Sequence, residues 1–504
     1  MTSTVPAGAR RAPLLLLPLL LAACASAPQR ERPDLRLDLP GRWSAAPAAE
    51  AAGTDARWWT TFGDERLDAL VAEALAGNRD LRAAAARVQA ALAQARIAGA
   101  DRLPEASLEY APSRTRRNFI GFPFPEGGRR VLSTTTTTQG VSINVSWEAD
   151  LWGRIRAGKA AAIAGVQASQ ADLAAARLSI AAQTAKAWFA LIEAGEQVAL
   201  ARATHESRRS TAERIRRRYR LGLRPALDLR LAAVNEADAA AALARREREF
   251  DAAMRQVDLL LARYPDGSVE AWDASLRLPD PPAPIPAGLP SELLARRPDL
   301  FAAERRLAAA GLGVREARAA LYPRLRLTGS AGRVSEEIGD LLESDFSVWS
   351  LAASLLQPLF QGGRLRAGVD LAEAGYREAA EGYVRALLDA FNEVESALVA
   401  EEALARQEAA LRVAAEQSSA ARALAEDRYE VGLADYLSVL EAQRESTLAE
   451  SQLLSVRRQR LDARVDLHLA LGGGFEAPLA DGREAARRPG GDGAEPAPRR
   501  WLSR

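Results

Sequence analysis

Apolar residues recur at three- and four-residue steps through two long stretches of the chain that contain no proline. In the first stretch Leu173, Ala176 and Ile180 follow this spacing, with charged residues between them. No proline occurs between residues 126 and 224 or between residues 359 and 477. Because proline costs about 3 kcal/mol inside a helix, only these stretches permit very long helices. A helix from residue 153 to 221 would be about 100 Å long, and a second is predicted from 364 to 431.

Each predicted long helix is followed by a tight turn and a returning helix. Gly222 and Gly432 suit the left-handed residue that closes a helix, and Pro225 suits a helix start. The returning helices are predicted from Leu227 to about Tyr264 and from Leu437 to about Leu471. Helices of this length need coiled-coil partners, so each stretch predicts a long antiparallel hairpin. Shorter helices are predicted before them, at about 79–103 and 298–321.

Between each short helix and the following long helix, the hydrophobic period changes to two. Val141, Ile143 and Val145 alternate with polar residues, and similar text occurs near 107–111, 325–328 and 346–351. This alternation predicts strands with one apolar face, about as long as tilted membrane strands. Aromatic residues gather at the ends of these segments, as in an interfacial girdle: Phe119, Phe122, Phe124, Trp147, Trp152, Tyr322, Trp349 and Phe360. A soluble sheet or loops capping the helices remain alternatives.

Four strands cannot close a membrane barrel, and open sheet edges do not occur in lipid. Either the sheet is soluble, or several chains pool their strands. Three chains would give twelve strands and would bring their long helices together as a second, helical barrel.

The two halves of the chain repeat each other. Asp80 and Leu81 recur 219 residues later, whereas Gly153 and Arg154 recur 210 residues later. The first copy therefore carries nine additional residues between these points. The chain is one structural unit present twice.

The start of the chain resembles a bacterial lipoprotein signal. Arg10 and Arg11 precede a short apolar run that ends in Leu21-Ala22-Ala23-Cys24, which is too short to cross a bilayer. The resemblance implies cleavage before Cys24, diacylglycerol on its sulfur and an acyl group such as palmitate on its amine. Ala25 rather than aspartate at the next position is typical of an outer-membrane address. The alternative is a free thiol in an ordinary secreted protein.

Composition excludes several classes of function. The net charge of +1 gives no field that would attract nucleic acid. Cys24 is the single cysteine, so neither an intrachain disulfide nor a cysteine-type metal site is possible. The two histidines, His205 and His468, have no cluster of ligand residues nearby in sequence, so we expect surface histidines rather than ligands or general bases. No metal and no cofactor beyond the lipid is expected.

Taken together, these residues resemble the TolC-like outer-membrane efflux factors, in the NodT-type lipoprotein branch that works with resistance-nodulation-division pumps. The matching motifs are Trp58-Trp59, Phe62-Gly63-Asp64, Asn78-Arg79-Asp80-Leu81, Trp147-Glu148-Ala149-Asp150-Leu151-Trp152-Gly153-Arg154, Arg296-Arg297-Pro298-Asp299-Leu300, Tyr322-Pro323 and Gln357-Pro358-Leu359-Phe360-Gln361-Gly362-Gly363-Arg364. The resemblance implies a mainly α-helical homotrimer with a shared twelve-stranded β-barrel in the outer membrane and a periplasmic α-helical barrel. It also implies a periplasmic adaptor and an inner-membrane pump as partners.

In such proteins the hairpin tips close the periplasmic end of the duct. The resemblance places Tyr429, Leu437, Glu441 and Arg444 at the constriction and its locking contacts, with Asp435 and Asp228 adding charge or pairing with Arg224. Three copies of Glu441 around one axis would form a cation-selective ring. This chain departs from the family pattern at Ser438 and Ala434, where some members have aspartate and arginine. Ordinary solvated turn chemistry is the alternative for every charge at the tips.

The predicted organisation has six parts. They are a signal peptide (1–23), a lipidated extended segment (24–62), the first repeat (63–264), a proline-rich linker (265–290), the second repeat (291–472) and a disordered tail (473–504). The resemblance makes the insertion at 114–140 an extracellular loop.

The function expected is a passive exit duct for efflux, because no phosphate-binding loop is present to drive transport. A coiled-coil lipoprotein that spaces the envelope explains Cys24 and the helices, but it does not explain the alternating segments. A lipid-anchored enzyme is disfavoured, because the sequence has no nucleophile, metal or cofactor constellation.

Overall fold

A computed structural model describes residues 42–45, 55–119, 132–283, 285, 290 and 293–475. The predicted signal peptide, Cys24, the centre of the insertion and most of the predicted C-terminal tail lie outside these residues.

Three helices of the first half have counterparts of equal length in the second half. A 22-residue helix, a 67-residue helix and a 35-residue helix occur in each half. The helices are α1 (Glu65–Gly77), α2 (Arg79–Ala100), α3 (Arg154–Arg220), α4 (Ala226–Leu260), α5 (Leu293–Arg296), α6 (Pro298–Ala319), α7 (Arg364–Glu430) and α8 (Tyr436–Ala470). The prediction of two long antiparallel hairpins, α3–α4 and α7–α8, is confirmed.

The helix ends lie where glycine permits them. Gly222 and Gly432, just beyond α3 and α7, have φ of +71° and +80°, a region that side chains with a Cβ rarely adopt. The same two helices begin after Gly153 and Gly363, at φ of +77° and +82°. At the first of these starts the Asp150 carboxylate accepts the backbone N–H groups of Ile155 and Arg156, at 3.1 and 2.9 Å. These contacts explain the Asp–x–x–Gly–Arg text at this junction.

In the described part of the chain, no helix is both long enough and apolar enough to cross a membrane.

The strands form one antiparallel sheet, and successive side chains along each strand alternate between an apolar face and a polar face. The strands are β1 (Glu105–Tyr110), β2 (Ser113–Phe119), β3 (Leu132–Ala149), β4 (Arg324–Ser335) and β5 (Ser347–Leu356), in the spatial order β1–β3–β4–β5. Leu108 lies opposite Ile143, which lies opposite Ala331, and the neighbouring row joins Glu109 to Ser142 and Gly332. β5 has 10 residues, the predicted length, whereas β1 has only 6. β3 and β4 are longer than predicted, at 18 and 12 residues, because their Ser-, Thr- and Gly-rich ends show no apolar alternation.

The insertion predicted as a loop contains regular structure. β2 pairs with the first half of β3 in the register that β1 keeps with the second half, so that Tyr110 faces Val141 and Ser113 faces Thr138. Ala111 and Pro112 alone interrupt this ribbon. The prediction of a loop is therefore wrong for 114–119 and 132–140, because polar alternation between arginine and threonine gives no hydrophobic signal for a strand.

The largest core lies where the N-terminal part of the first repeat covers the middle of α3. Trp58, Trp188 and Phe189 are fully buried there, together with residues of a short 3-10 helix, Trp58–Phe62. The Asp64 carboxylate caps α1 by accepting the N–H groups of Arg66 and Leu67, and it also accepts the indole N–H of Trp188 at 2.7 Å. The Trp–Trp and Phe–Gly–Asp motifs therefore build a core, and helix α1 was not foreseen from sequence.

Charged side chains join α8 to both of its neighbours. Towards α3, Arg458 meets Glu193 and Lys186 meets Asp466. Towards α7, Arg464 meets Glu401 at 2.6 Å and Arg460 meets Glu408 at 3.0 Å. Arg464 is only 1% exposed. Removal of a single partner would leave a charge that water cannot reach, which is strongly destabilising, so α8 is fixed in position between the two long helices.

The expectation of a surface histidine is wrong for His468. Its ring is 5% exposed and stacks on Trp58 with centroids 5.0 Å apart. Among the described residues neither ring nitrogen has a hydrogen-bond partner. Burial therefore lowers the pKa of His468 to about 4. His205, by contrast, is partly exposed.

Replacing His468 with Phe should remove part of the protein's sensitivity to acid. The unfolded chain takes up the proton near pH 6.5 and the folded chain only near pH 4, so the histidine costs stability as pH falls through this window. A shift of this size corresponds to about 3 kcal/mol per chain. Buried Asp462, whose pKa is raised to about 6, acts in the opposite sense and destabilises the fold as pH rises.

The measurement is the thermal unfolding temperature at pH 7 and pH 4.5, compared between His468→Phe and the parent protein. The partly exposed His205→Phe variant is the matched control. Equal acid sensitivity in parent and His468→Phe would contradict a buried neutral histidine.

Candidate functional site

The turns that end the two long hairpins lie together at the end of the molecule furthest from the sheet. Residues 221–225 join α3 to α4, and residues 431–435 join α7 to α8. The side chains at these tips divide into two groups, one enclosed between the hairpins and one exposed.

Tyr429 is the centre of the enclosed group. It is 6% exposed, and the guanidinium carbon of Arg224 lies 4.2 Å from its ring centroid. Arg224 also donates to the Tyr429 backbone carbonyl at 3.2 Å, and the Tyr429 hydroxyl donates to Asp228 at 3.5 Å. Burial raises the pKa of Tyr429, so the phenol stays protonated and acts as the donor. Arg224 and Asp228 of the first hairpin therefore hold the end of α7 through Tyr429.

An apolar cluster lies below this contact. Tyr436 stands 5.5 Å from Tyr429, ring to ring, and both pack with residues of three helices: Ala212, Ile215, Ala232 and Val439. Burial also raises the pKa of Tyr436. The cluster joins α3, α4, α7 and α8 just before their turns, so that the two tips form one packed joint.

A buried polar chain continues the joint towards the sheet. Arg208 on α3 donates to the side-chain oxygen of Gln443 on α8, and Gln443 donates to Glu426 on α7 at 2.5 Å. Arg208 is 7% exposed, and its burial lowers its pKa. This chain of contacts was not predicted, because its members are far apart in sequence and resemble ordinary surface residues of long helices.

The exposed group lies on one face of α8. Leu437 is 63% exposed, and Glu441 pairs with Arg444 at 3.1 Å while both side chains stay largely in solvent. Leu437 and Glu441 border an open groove of about 680 Å³, together with Ser418 and Ala421 of α7. An exposed leucine beside an exposed carboxylate has no packing role within one chain.

Asp435 has a different role from the one expected of it. It is the N-cap of α8, where its carboxylate accepts the backbone N–H of Ser438 at 2.9 Å and the Ser438 hydroxyl at 2.5 Å. The hydrogen bond from the Ser438 hydroxyl lowers the pKa of Asp435. Ser438, which stands where some family members have aspartate, is therefore part of the cap.

The structure brings Tyr429 and Asp228 together inside the joint, and Leu437, Glu441 and Arg444 together on the exposed face. Within the described residues Arg224 forms no ion pair with Asp228 or Asp435, and its partner is the tyrosine ring instead. The same part of the chain contains no group of three or more His, Cys, Asp or Glu side chains arranged to hold a metal ion.

Comparison with known proteins decides the family. The family model described as outer membrane efflux protein matches residues 70–263 and 289–473. The chain belongs to the outer membrane efflux protein family. It is 37% identical over 469 residues to outer membrane protein OprJ of Pseudomonas aeruginosa, covering 92% of this chain and 95% of that protein.

Two further relatives agree with this assignment. The pyoverdine export outer membrane protein OpmQ of Pseudomonas putida is 34% identical over 481 residues, covering 92% of this chain and 98% of OpmQ. The crystal structure of the Campylobacter jejuni CmeC outer membrane channel superposes with a TM-score of 0.81 at 25% identity, covering 90% of this chain and 95% of CmeC.

As a member of this family, the protein is an outer-membrane channel of an efflux system with a large periplasmic portion. Three chains share a twelve-stranded β-barrel, and their long helices form the periplasmic duct. In membrane barrels the apolar face of the strands meets lipid and the polar face lines the interior, and the row of Leu108 and Ile143 beside the row of Glu109 and Ser142 fits this pattern. By the family resemblance, the hairpin tips are expected at the periplasmic entrance of this efflux channel.

Replacing Arg224 with Met should loosen the tip joint. The substitution keeps most of the side-chain length but removes the contact with the Tyr429 ring and the hydrogen bond to its carbonyl, a loss of about 1–2 kcal/mol per chain. We expect a larger fraction of open channels in planar-bilayer recordings. Arg220→Met, an exposed arginine one turn earlier, is the matched control. Identical open fractions in the two variants would show that Arg224 does not hold the tip.

Proposed function

We propose that this efflux channel is the lipid-anchored exit duct of a tripartite pump. A periplasmic adaptor would dock at the hairpin tips, and an inner-membrane transporter of the resistance-nodulation-division class would supply the energy. The single observation that carries the proposal is the packed tip joint at the far end of two hairpins about 100 Å long. A duct that is closed at its periplasmic end and has no energy-coupling motif needs partners that open it.

Leu437 and Glu441 are the proposed constriction. Both side chains project from α8 into solvent although neither is needed for packing within the chain. In a trimer, three exposed leucines around one axis would form an apolar throat, and three glutamates would form a hydrated ring that favours cations. Arg444 partly neutralises the Glu441 charge by pairing with it. The joint around Tyr429 and Asp228 holds α8 in the closed position.

The proposed cargo is small molecules, including toxic compounds. One relative is named for pyoverdine export, which supports export as the direction of transport. We propose no enzymatic activity, because the exposed and buried polar groups at the tips serve packing, capping and the constriction.

The lipid anchor is proposed at Cys24. Residues 42–45 lie against α7, where the N–H groups of Ser44 and Ala45 donate to Glu395 at 2.7 and 3.0 Å. That point is about 45 Å along α7 from the end of α7 that follows the sheet. The number of residues between Cys24 and Trp43 allows a span of up to about 60 Å, so a lipid at Cys24 is compatible with this contact.

The Leu437→Ala/Glu441→Ala double variant tests the constriction. Smaller side chains should widen the closed entrance, so single-channel conductance should rise and the preference for cations should fall. Glu402→Ala, which removes an exposed carboxylate on α7 that pairs with Arg406, is the control. Parent-like conductance and selectivity in the double variant would remove the constriction from Leu437 and Glu441.

Cys24→Ser tests the anchor separately. The variant should incorporate no radiolabelled palmitate, yet it should still form trimers, because the barrel itself resides in the membrane. Palmitate labelling that persists in Cys24→Ser would exclude this residue as the lipid site, and loss of trimers would give the anchor a role in assembly.

A further inference from the structure

The extracellular ends of the sheet carry two surfaces of opposite charge. The first is the β2 edge, defined here by Arg114, Arg116 and Arg117, whose side chains are all exposed. Arg116 donates to the Ser133 hydroxyl at 3.0 Å. Among the described residues, no ion pair joins any of the three to a carboxylate.

The second surface is the connection between β4 and β5, residues 336–346, called here the acidic connection. It contains five carboxylates, and no Lys or Arg occurs between Arg333 and Arg364. The acids are Glu336, Glu337, Asp340, Glu343 and Asp345. Asp340 accepts the Ser335 hydroxyl at 2.7 Å, whereas the other four are exposed. Ile338 and Leu342 are also exposed, at 67% and 85%. Arg333 of the same chain donates to the Leu341 carbonyl at 2.9 Å, so one cation lies beside the acidic connection. Four exposed carboxylates still carry like charges around two exposed apolar side chains, which is unfavourable.

Within one chain these surfaces lie on opposite sides of β3. The short 3-10 helix Gly339–Leu342 of the acidic connection packs beside β4 and β3. The β2 edge lies on the other side of β3, because β2 pairs only with β3. One chain therefore cannot bring the two charges together without crossing its own sheet.

The trimer brings them together. Closing the barrel places the free edge of β5 against the β1–β2 edge of the next chain, since these are the two open ends of the order β1–β3–β4–β5. If β5 met the next chain at the same height at which it pairs with β4, Leu356 at the end of β5 would lie opposite Asp101 of that chain. Asp101 precedes β1, so this end of β5 would have no strand to pair with. β5 is paired along its whole length only if it shifts towards β2, as the tilt of barrel strands requires. Ser347 and the acidic connection then lie beside the β2 edge.

We propose that the acidic connection of each chain forms ion pairs with the β2 edge of the adjacent chain. The trimer then has three such sets of ion pairs, which surround the extracellular opening of the barrel. Charge complementarity and continuity with the shared barrel both identify a second copy of this chain as the partner. Individual exposed ion pairs contribute little, but three cations and five anions form a network. Salt screens this network, so these ion pairs stabilise the trimer most at low ionic strength.

Charge reversal with rescue tests the proposal. Arg114→Glu/Arg116→Glu/Arg117→Glu should lower the temperature at which purified trimers dissociate in SDS by several degrees, and high salt should abolish the difference. Glu336→Lys/Glu337→Lys/Glu343→Lys should do the same alone and restore the parent temperature when combined with the first set. Dissociation temperatures unchanged by either set, or the absence of rescue in the combined variant, would overturn the proposal.

Disulfide trapping distinguishes pairing between chains from pairing within one chain. Cys24 is the single native cysteine, so Arg116→Cys with Glu343→Cys introduces a defined pair. Oxidation should give covalent dimers and trimers on a denaturing gel, and either single variant should not. An internal disulfide that leaves only monomers would overturn the proposal. A third measurement compares binding to vesicles of phosphorylated outer-leaflet glycolipid. If the parent binds these vesicles more tightly than the Arg114→Glu/Arg116→Glu/Arg117→Glu variant while both trimers are equally stable, the arginines bind lipid rather than the adjacent chain, and the proposal is overturned.

Discussion

The unpaired edges of the sheet determine the rest of the structure. One chain ends its sheet with β5 on one side and with β1 and β2 on the other, and both edges present backbone groups without partners. Lipid offers no hydrogen bonds, so these groups are satisfied only when the edges of three chains meet. The threefold barrel that results places the long hairpins of the three chains around one axis. The channel is thus a consequence of an incomplete sheet.

Below the membrane, polar contacts position the helices. Arg297 shows this at the start of the second repeat: it pairs with Asp299 and Glu393 and donates to the carbonyl of Ala470, so one side chain joins α6, α7 and α8. Arg464 and Gln443 do the same at lower levels of α8. Alanine-rich helices slide easily against each other because their surfaces are smooth. Buried charged and amide groups, which accept few geometries, set the register of the bundle at several heights.

Much of the fold was predictable from local rules. Proline-free windows, the glycines at 222 and 432 and the internal repeat gave α3, α4, α7 and α8 within a few residues, because these signals act over short distances. The β2 strand and the 3-10 segment at Trp58 were not predictable, since arginine–threonine alternation and paired tryptophans have no fixed meaning in isolation. Burial of His468 was missed for the same reason: it depends on Trp58, which lies 410 positions away in the chain.

The site was predictable only in part. Family resemblance led to Tyr429, Leu437 and Glu441, and the structure places the first inside a joint and the others on an exposed face. The partner of Tyr429 was not foreseen, because the stacking of Arg224 on its ring depends on how two distant turns meet. Asp435 likewise looked like a charge of the entrance until its geometry identified it as a helix cap.

The equal helix lengths in the two halves restrict how this protein can evolve. Both hairpins must reach the same height for Arg224 to meet Tyr429, so a turn gained or lost in α3 and α4 without the same change in α7 and α8 separates the tips. Length changes in the duct are therefore tolerated only as matched pairs within one gene. The extracellular ribbon has no counterpart to match, and the nine additional residues of the first copy lie there. Related sequences should therefore vary in the length of the extracellular ribbon, whereas the lengths of the two helical hairpins should stay equal to each other.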